Sequence, residues 1–593
     1  MDMLSLKNRV HWVQALAALL GFGVVCGFPS AHLTGDFKVY LSTAMEMWDR
    51  GEWLHPILYQ HSSYFKPPFQ YWATLLGWKI FGFGNFGAYF PSVVALALTT
   101  LLIGQISLFF SRQNRVVPQA CAGLWFAGNI ASMCYGTVTQ MEVWVALFAT
   151  LGAWLMLRSF YDSDGTVRPI SNLDWKSLTF YFIAAGVSSW VKSPIYSIFS
   201  ISSLWLFLGL LGRYDLFKNV RFYFLHALGA AVGLAWYFAI WLTDREAFLS
   251  RYVGQESVGK LSGNGVSVIQ LLLDFSVWCS PLLLLLWMLI GIPFFHRNSQ
   301  FKSWYDGLKN PRNAWVLANL LPPILFFFSF PYRLEAYLYI TLPFLALLME
   351  WELPQLPGSA WVAGGSGLLF GLAAFFVGVV FTFSHLVHFW VGALICCIAL
   401  VMSGVGIRFI FEQWIRKGEK IKKGRLWVHF AWSSLLLVVA VRWAAASLGT
   451  IDLAFFRNWM EQHPTAQLGL YDPTHDIWHE RATLGVAVGK VAYSIDSVQS
   501  AVDFLKAGGV IVFNEDYLNH EVLEVEHLFH QQRVEGQFGF LESQTWYRPK
   551  RAFYLPTPEA LIKMTSRTDP EWMRQFMKKY RVLFIEKSGV RPS

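Results

Sequence analysis

Acidic and basic side chains that could act together occur at the ends of apolar segments that are far apart in the chain. Asp36 follows the first apolar segment, and Glu142 lies between two later ones. A carboxylate held by the chain and open to water can serve as a general base toward a hydroxyl. Lys66 precedes two prolines, which restrict the backbone and so the direction of its ammonium group. These residues are candidates for a polar reaction centre.

Two further cations, Lys192 and Arg333, occupy similar boundaries beside prolines. Structural roles compete with chemistry at each position. Asp36 could cap the following helix, and Glu142 could interact with a helix dipole. Each basic residue could be an interfacial anchor. Together the five side chains would place two acids and three cations on one face of the protein.

The composition describes a membrane protein. Of 593 residues, 55% are hydrophobic and only 14% are charged, which excludes a disordered chain and a plain cytosolic enzyme. The net charge of +9 comes from basic residues in short runs between apolar stretches, so we expect no nucleic-acid partner. The six cysteines lie in apolar segments without C-x-x-C spacing, which indicates neither a disulfide framework nor a thiolate metal site.

Thirteen apolar segments are suited to crossing a bilayer. They are residues 10–29, 86–110, 118–136, 140–159, 177–191, 194–211, 222–243, 269–295, 314–330, 335–350, 359–383, 387–411 and 426–447. The loops on the N-terminal side hold more Lys and Arg than the opposite loops, including a dense run at 416–425. The positive-inside rule therefore predicts a multi-pass protein of the bacterial inner membrane, with a cytoplasmic N-terminus and a periplasmic C-terminal part.

The first external loop is predicted to contain two interfacial helices joined by a turn. Residues 69–81 are apolar but span only about 20 Å as a helix, which is too short to cross a bilayer. The segment around 37–48 has apolar residues at helical spacing on one side and charged residues elsewhere. We therefore place both helices along the outer surface.

The chain is predicted to divide into a transmembrane catalytic domain, 1–450, and a small periplasmic α/β domain, 451–593. Short β-like runs at 467–472, 486–493 and 510–514 alternate with helix-like pieces, and serines near 494–497 can cap a helix ending near 508–509. No GxGxxG or P-loop motif supports nucleotide binding. His475, Asp476 and His479 approach a zinc-protease spacing, but the segment is interpreted as a loop between strands, which disfavours a metal hydrolase.

A more specific pattern runs through these candidates. The first external loop contains GD at 35–36, AMEMWDRGEWLHP at 44–56 and YFKPPFQYW at 64–72, and FFFSFPYRLEAYLYITLP follows at 326–343. In these motifs and their order the chain resembles membrane glycosyltransferases that use polyprenyl-phosphate sugars. It is similar to the aminoarabinose transferases of lipid A modification (glycosyltransferase family 83), and more distantly to protein O-mannosyltransferases. The chain departs from the pattern of the aminoarabinose transferases at three positions. Phe65 replaces the carboxylate residue before the motif lysine, Ser193 replaces a glycine and Arg333 replaces a lysine.

The resemblance implies an α-helical polytopic GT-C fold with about thirteen transmembrane helices, interfacial helices in the first external loop and a C-terminal α/β domain. It implies a polyprenyl (undecaprenyl) phosphate-sugar donor. The implied acceptor lies in the cell envelope and is lipid A or another envelope glycan. Membrane lipids are the surrounding partner. A protein acceptor is one alternative, and a lipid-linked transporter or flippase is an alternative of a different class.

The resemblance also assigns roles. Asp36, assisted by Glu142, would act as the base on an acceptor hydroxyl or phosphate, and displacement at the sugar would invert its configuration. Lys66, Lys192 and Arg333 would bind and neutralise the donor phosphate. No cofactor is certain, and a divalent cation beside the two carboxylates is left open. The residues expected more weakly in the acceptor or donor-sugar pocket are Tyr64, Glu256, Glu335 and Tyr337.

Overall fold

The computed structural model describes most of the chain in separate ranges. They are residues 6–26, 36–58, 61–114, 121–162, 166–261, 265–279, 311–352, 359–383, 389–415, 423–447, 460–473, 478–514, 521–531, 537–540, 548–549, 577–578 and 580–586. Helices dominate up to residue 447, and the strands of the larger sheet follow after residue 460.

The N-terminal region contains sixteen α-helices of six or more residues in the described ranges. The first eight are α1 (Leu6–Cys26), α2 (Phe37–Arg50), α3 (Phe69–Phe81), α4 (Asn85–Asn114), α5 (Ala122–Ala127), α6 (Ile130–Gly136), α7 (Glu142–Phe160) and α8 (Trp175–Val191). The others are α9 (Pro194–Leu210), α10 (Val220–Thr243), α11 (Val268–Trp278), α12 (Pro311–Ser329), α13 (Leu342–Glu352), α14 (Ser359–Phe383), α15 (Phe389–Ile415) and α16 (Lys423–Ser447). A π-helix, Phe248–Val258, lies between α10 and α11, and a 3-10 helix, Glu335–Thr341, precedes α13.

This is a multi-pass membrane protein. Within the described ranges, four helices are long and apolar enough to cross a bilayer: α4, α7, α10 and α15. Shorter apolar helical stretches lie within α1, α9, α14 and α16. The prediction of thirteen spans remains a prediction, because several predicted segments run into residues outside the described ranges.

One predicted span is not a continuous helix. Residues 118–136 contain two short helices, α5 and α6, separated at Gly128 and Asn129. The Asn129 side chain caps α6 by accepting a hydrogen bond from the backbone N–H of Ser132 at 2.9 Å. A Cβ on Gly128 would lie 2.8 Å from the backbone nitrogen of Leu435 in α16. The break therefore lets α16 approach the backbone closely, and the prediction of one helix here was wrong.

The first loop contains both predicted helices, but more than a turn joins them. Strands β1 (Ile57–Leu58) and β2 (His61–Ser62) pair antiparallel between α2 and α3. α3 packs against α4 so closely that a Cβ on Gly77 would lie 2.0 Å from the carbonyl oxygen of Gly87. The polar side of α2 is covered as well, because the buried Glu46 carboxylate pairs with Arg481 at 2.5 Å.

The described residues after 460 form a five-stranded sheet with helices. Strands β3 (Leu468–Tyr471), β4 (Ala492–Ile495) and β5 (Val510–Asn514) run parallel in the order β4-β3-β5. The sheet contains two further antiparallel strands beyond β5, which we label β9 (Tyr580–Glu586) and β6 (Gln537–Phe540). The helices are α17 (Trp478–Val488), α18 (Val498–Lys506) and α19 (Glu521–Gln531), and a separate pair is β7 (Arg548–Pro549) with β8 (Met577–Lys578).

Sequence patterns located part of this unit correctly. Ser497 caps α18 by accepting from the backbone N–H of Ser500, and Gly508 follows with φ of 84°, as predicted. The predicted strand at 486–493 was wrong, because α17 runs to Val488 and β4 begins only at Ala492. Gly489, with φ of 82°, ends that helix through a hydrogen bond from its N–H to the Gly485 carbonyl at 2.8 Å. The extent of this C-terminal unit as a domain, residues 451–593, stays a prediction.

Candidate active site

Five connecting segments from distant parts of the sequence meet at one end of the helices. The first loop contacts the segment after α10, where Arg251 donates a hydrogen bond to the Ser62 carbonyl. The backbone N–H of Gly265, after the π-helix, donates to the carbonyl of Pro331 at 3.2 Å. The α6–α7 and α8–α9 connections are joined by the ion pair between Glu142 and Lys192. This end of the molecule holds the predicted site residues.

Two lysines share one carboxylate at the centre of this region. Glu256, on the π-helix, contacts the ammonium of Lys66 and lies 2.5 Å from the ammonium of Lys260. The Lys66 and Glu256 side chains are 10% and 17% exposed, so water screens this contact weakly. Lys260 also lies over the ring of Tyr332, 5.5 Å from its centroid. The first loop and the short helix Gly259–Leu261 after the π-helix therefore contribute one cation each to a common anionic partner.

Electrostatics favour an additional anion at this centre. Burial, together with the ammonium groups of Lys260 and Lys192, holds the pKa of Lys66 well below its usual value. The pKa of Lys260 is lowered by burial and by Lys192. Lys192 pairs with Glu142, so Lys66 and Lys260 share the single carboxylate of Glu256. A phosphate in contact with these two lysines would stabilise their charged forms.

Glu142 and Lys192 form a second ion pair beside this group. Glu142 begins α7, and its Oε1 lies 2.5 Å from the Lys192 ammonium at the end of α8. Both residues are buried, and Oε2 of Glu142 has no hydrogen-bond partner among the described residues. Burial opposes the charge on Lys192, but Glu142 together with Tyr196 and Tyr337 outweighs burial and raises the pKa of that lysine. The Tyr337 ring also faces this ammonium, 4.6 Å from its centroid.

Asp36 lies on the same side as the lysines and remains exposed to solvent. It occupies the position before α2, yet its side chain makes no capping hydrogen bond. Its negative charge acts on both neighbouring lysines, raising the pKa of Lys66 and of Lys260 against the effect of burial. The alternative that Asp36 serves as a helix cap therefore has no side-chain contact to support it. The carboxylate is free to meet a molecule arriving from water.

Arg333 lies at the edge of the group and is engaged elsewhere. Its Nη1 donates to the Val266 carbonyl at 3.1 Å, which fixes the segment leading into α11. The neighbouring Tyr332 reaches Lys260, and Tyr332 and Tyr337 have ring centroids 6.4 Å apart. Glu335, half-buried at the start of the 3-10 helix, completes this side. In this arrangement the guanidinium of Arg333 holds the rim together, whereas Lys66 and Lys260 occupy the centre.

Tyr64 does not face the lysine group. Its hydroxyl donates to Oδ2 of Asp244 at 2.8 Å, and the Ser62 hydroxyl donates to the same oxygen at 2.7 Å. The ring packs with Trp236 and Phe248 in a buried aromatic cluster. Although burial opposes it, these hydrogen bonds hold the pKa of Asp244 below its usual value. Tyr64 therefore joins the first loop to the end of α10, next to Lys66 in sequence, and its predicted place in a sugar pocket has no contact here.

Two residues of this region were not assigned roles from sequence. Lys260 was given no role, and its i, i+4 spacing from Glu256 was the signal that could have paired them. Asp244 follows the apolar helix α10 and carries no local motif. Its function of joining two loops depends on contacts with residues about 180 positions earlier, which local spacing does not reveal.

A divalent cation among the described residues stays a prediction. Within them, no group of three His, Cys, Asp or Glu side chains lies together in a geometry that could hold one. The Lys192 ammonium occupies one oxygen of Glu142, and Asp36 acts electrostatically on Lys66 and Lys260, so both carboxylates already have cationic neighbours. His475 and Asp476 of the H-D-x-x-H sequence lie outside the described residues, and His479 lies at the start of α17.

Sequence comparisons relate the chain to named transferases. It is 24% identical over 432 residues to the undecaprenyl phosphate-alpha-4-amino-4-deoxy-L-arabinose arabinosyl transferase of Serratia proteamaculans, covering 69% of each chain. The corresponding enzyme of Photorhabdus laumondii is 24% identical over 360 residues. The match spans 60% of that relative, and a 27% identical match to the Proteus mirabilis transferase 2 spans 31% of it. No protein-family model matches the chain.

A solved structure shows the same fold. The crystal structure of ArnT from Cupriavidus metallidurans bound to undecaprenyl phosphate superimposes with a TM-score of 0.62 at 14% identity, covering 96% of this chain and 97% of that one. The apo structure of the same protein gives a TM-score of 0.58. These findings confirm the predicted resemblance and the mostly helical GT-C type of fold.

Proposed function

We propose that this chain is a membrane glycosyltransferase that moves a sugar from a polyprenyl phosphate carrier to an acceptor in the cell envelope. The observation that carries the proposal is the group formed by Lys66, Lys260 and Glu256 beside Asp36, in a chain with the fold of an undecaprenyl-phosphate-bound transferase. The named relatives are arabinosyl transferases, which supports an enzyme of this class.

The lysine group suits the leaving half of the reaction. As the bond between the sugar and the phosphate breaks, negative charge grows on the phosphate oxygens. Fixed ammonium groups neutralise that charge without reorganising at the moment of reaction. Lys66 and Lys260 are held by different loops, so their charges converge on one point. We assign them to the donor phosphate, with Lys192 close enough to add to the positive potential.

Asp36 suits the accepting half. An exposed carboxylate can take a proton from an acceptor hydroxyl, and an acceptor phosphate would need no base at all. Its position beside the lysines, and not within their ion pairs, leaves room for the sugar between base and phosphate. Attack from this side displaces the phosphate from the opposite side, so the configuration at the sugar inverts. Glu142 contributes by holding Lys192 in place.

The proposed acceptor is lipid A or another envelope glycan. The site opens where the helices end, so an amphiphilic acceptor could present a polar head to Asp36 while its apolar part stays in the bilayer. In this assignment the site faces the periplasm and the N-terminus lies in the cytoplasm, in agreement with the distribution of Lys and Arg along the chain. The donor also arrives through the membrane, which explains how a transferase can work without a nucleotide-binding motif.

Purified protein in detergent, supplied with an undecaprenyl-phosphate sugar and lipid A, tests the proposal. We expect sugar transfer without any membrane gradient, and mass spectrometry of the lipid identifies the product. Asp36→Asn should abolish transfer to an acceptor hydroxyl while leaving undecaprenyl phosphate binding intact, because it removes the base at nearly constant shape. Full activity of that variant would reject Asp36 as the base. Donor binding without transfer by the wild type to any envelope acceptor would favour a transporter instead.

A further inference from the structure

A buried arginine lies in the last helix before the C-terminal unit and is not part of the site described above. Arg442, in α16, is 2% exposed. Among the described residues it forms no ion pair, and its Nη1 atom is buried without a hydrogen-bond partner. Its electrostatic neighbours are the thiols of Cys134 and Cys26 and the phenol of Tyr89. A buried cation without an ion-pair partner is costly, so we expect Arg442 to have a specific role.

Arg442 is anchored to the connection between α6 and α7. Its Nε donates to the hydroxyl of Thr137 at 2.9 Å, and that hydroxyl donates in turn to the Met133 carbonyl at 2.8 Å. Thr137 is the residue at which α6 ends, and it begins a short connection, residues 137–141, that we call the 137–141 turn. The Thr137 hydroxyl therefore accepts from Arg442 and donates to Met133, and Arg442 is hydrogen-bonded to one end of the 137–141 turn.

The other end of the 137–141 turn reaches Asp36, the proposed base, and Glu142, which holds Lys192. Thr139 donates from its hydroxyl to the backbone carbonyl of Phe37 at 3.0 Å, and Phe37 directly follows Asp36. Glu142 comes immediately after the turn as the first residue of α7. Thr139 and the Phe37 backbone are buried, so water does not compete for this contact. One turn thus sets where Asp36 and Glu142 lie relative to each other.

We propose that Arg442 is a positioning residue for sugar transfer, which fixes the 137–141 turn and thereby the placement of Asp36 and Glu142. This inference rests on the proposed function. Arg442 has no described contact with Lys66, Lys260 or Glu256, so the donor phosphate site should not depend on it. The effect of losing Arg442 should therefore appear in turnover and not in donor binding.

Arg442→Met and Thr137→Val test the role from the two sides of one hydrogen bond. We expect each to lower kcat by ~10- to 100-fold, because small displacements of catalytic groups have effects of this size. The Kd for undecaprenyl phosphate should stay unchanged. The double variant should be no worse than Arg442→Met alone, since both changes release the same turn. Arg442→Lys, which keeps a donor and a charge, should recover part of the activity.

Stability and backbone exchange separate positioning from a general structural role. Removing an uncompensated buried charge should leave the melting temperature of Arg442→Met equal to or above that of the wild type. Amide hydrogen exchange should quicken in residues 37–41 and in the 137–141 turn. Arg408→Met is the matched control, because Arg408 is exposed and pairs only within α15; it should change none of these measurements.

Clear outcomes would overturn the inference. Unchanged kcat in Arg442→Met, or a loss explained by weaker donor binding, refutes the positioning role while the proposed function stands. Additive effects in the double variant refute the shared turn. If the wild type transfers no sugar, the proposed function fails, and unchanged exchange in residues 37–41 of Arg442→Met would then refute the link to Asp36 independently.

Discussion

In the proposed function, the donor phosphate binds the two lysines that Glu256 already contacts. The Glu256 carboxylate contacts Lys66 and lies 2.5 Å from Lys260, so a phosphate that engages both ammonium groups competes with it. Glu256→Gln keeps the shape of the side chain and removes its charge. We therefore predict that this variant binds undecaprenyl phosphate more tightly than the wild type, although it removes two favourable contacts from the unliganded protein.

The size of the effect follows from exposure. Fully exposed ion pairs contribute little, whereas these side chains are only 10% to 27% exposed, so the two contacts together stabilise the unliganded state by about 1–2 kcal/mol. Removing that competition should lower the Kd about 5- to 30-fold, since 1.4 kcal/mol corresponds to a factor of ten. The melting temperature without ligand should fall, and undecaprenyl phosphate should restore it.

Equilibrium binding of undecaprenyl phosphate to protein in detergent, followed by tryptophan fluorescence, measures this difference. Glu412→Gln is the matched control, because it also removes a carboxylate from an ion pair, but on α15 and with an exposed arginine partner. We expect no change in Kd for the control. Equal or weaker binding by Glu256→Gln would refute the competition and would mean that Glu256 instead holds Lys66 and Lys260 in position for the donor.

Three further predictions concern charge and pH. Because the pKa of Lys66 is depressed, binding of undecaprenyl phosphate should weaken as pH rises through a range below the usual lysine value of about 10.5. Over that range Lys66→Arg should keep its affinity, and Lys66→Ala should bind weakly throughout. The measurement is the Kd for undecaprenyl phosphate as a function of pH. Glu142→Gln should destabilise the protein by about 3–5 kcal/mol, because Lys192 is left buried without its partner, and Glu142→Gln with Lys192→Met should recover thermal stability without activity; a stable single variant would contradict the pair. Asp244→Asn should lower the melting temperature at neutral pH by removing the carboxylate that accepts from Ser62 and Tyr64. The depressed pKa of Asp244 means that its contribution to stability is present above the unfolded pKa of about 3.9 and is lost as pH falls through the lower folded value, so wild type and variant should converge in acid.

Local patterns were informative where one segment settles its own structure. Ser497 and Gly508 carry the start and the end of α18 in their side-chain and backbone chemistry, and the structure has both. The same reasoning failed for 486–493, where Gly489 ends a helix although the alternating apolar residues around it favour a strand. It also missed the interruption at Gly128 and Asn129, because an apolar run alone does not distinguish one helix from two.

The site shows the same division. The ionisable residues at helix ends could be identified from sequence, because such residues are rare in an apolar chain. Which of these residues pair with each other could not be identified from sequence. Glu256 was expected more weakly, in a sugar pocket, yet it bridges the two central lysines, and Tyr64 was expected beside it but donates to Asp244. Arg442 lies inside an apolar helix, and only its contact with Thr137 connects it to the site.

The sequence by itself determined that this is a membrane protein and which residues could do chemistry at one of its faces. The length of an apolar segment and its low content of charged residues are properties of that segment alone. Only the tertiary structure decided which lysines share a carboxylate, which tyrosine joins the loops and which turn places Asp36. Apart from the i, i+4 contact of Lys260 with Glu256, those contacts join residues separated by 102 to 305 positions. The free energy of such a contact depends on distance and burial, and neither is fixed until the helices pack.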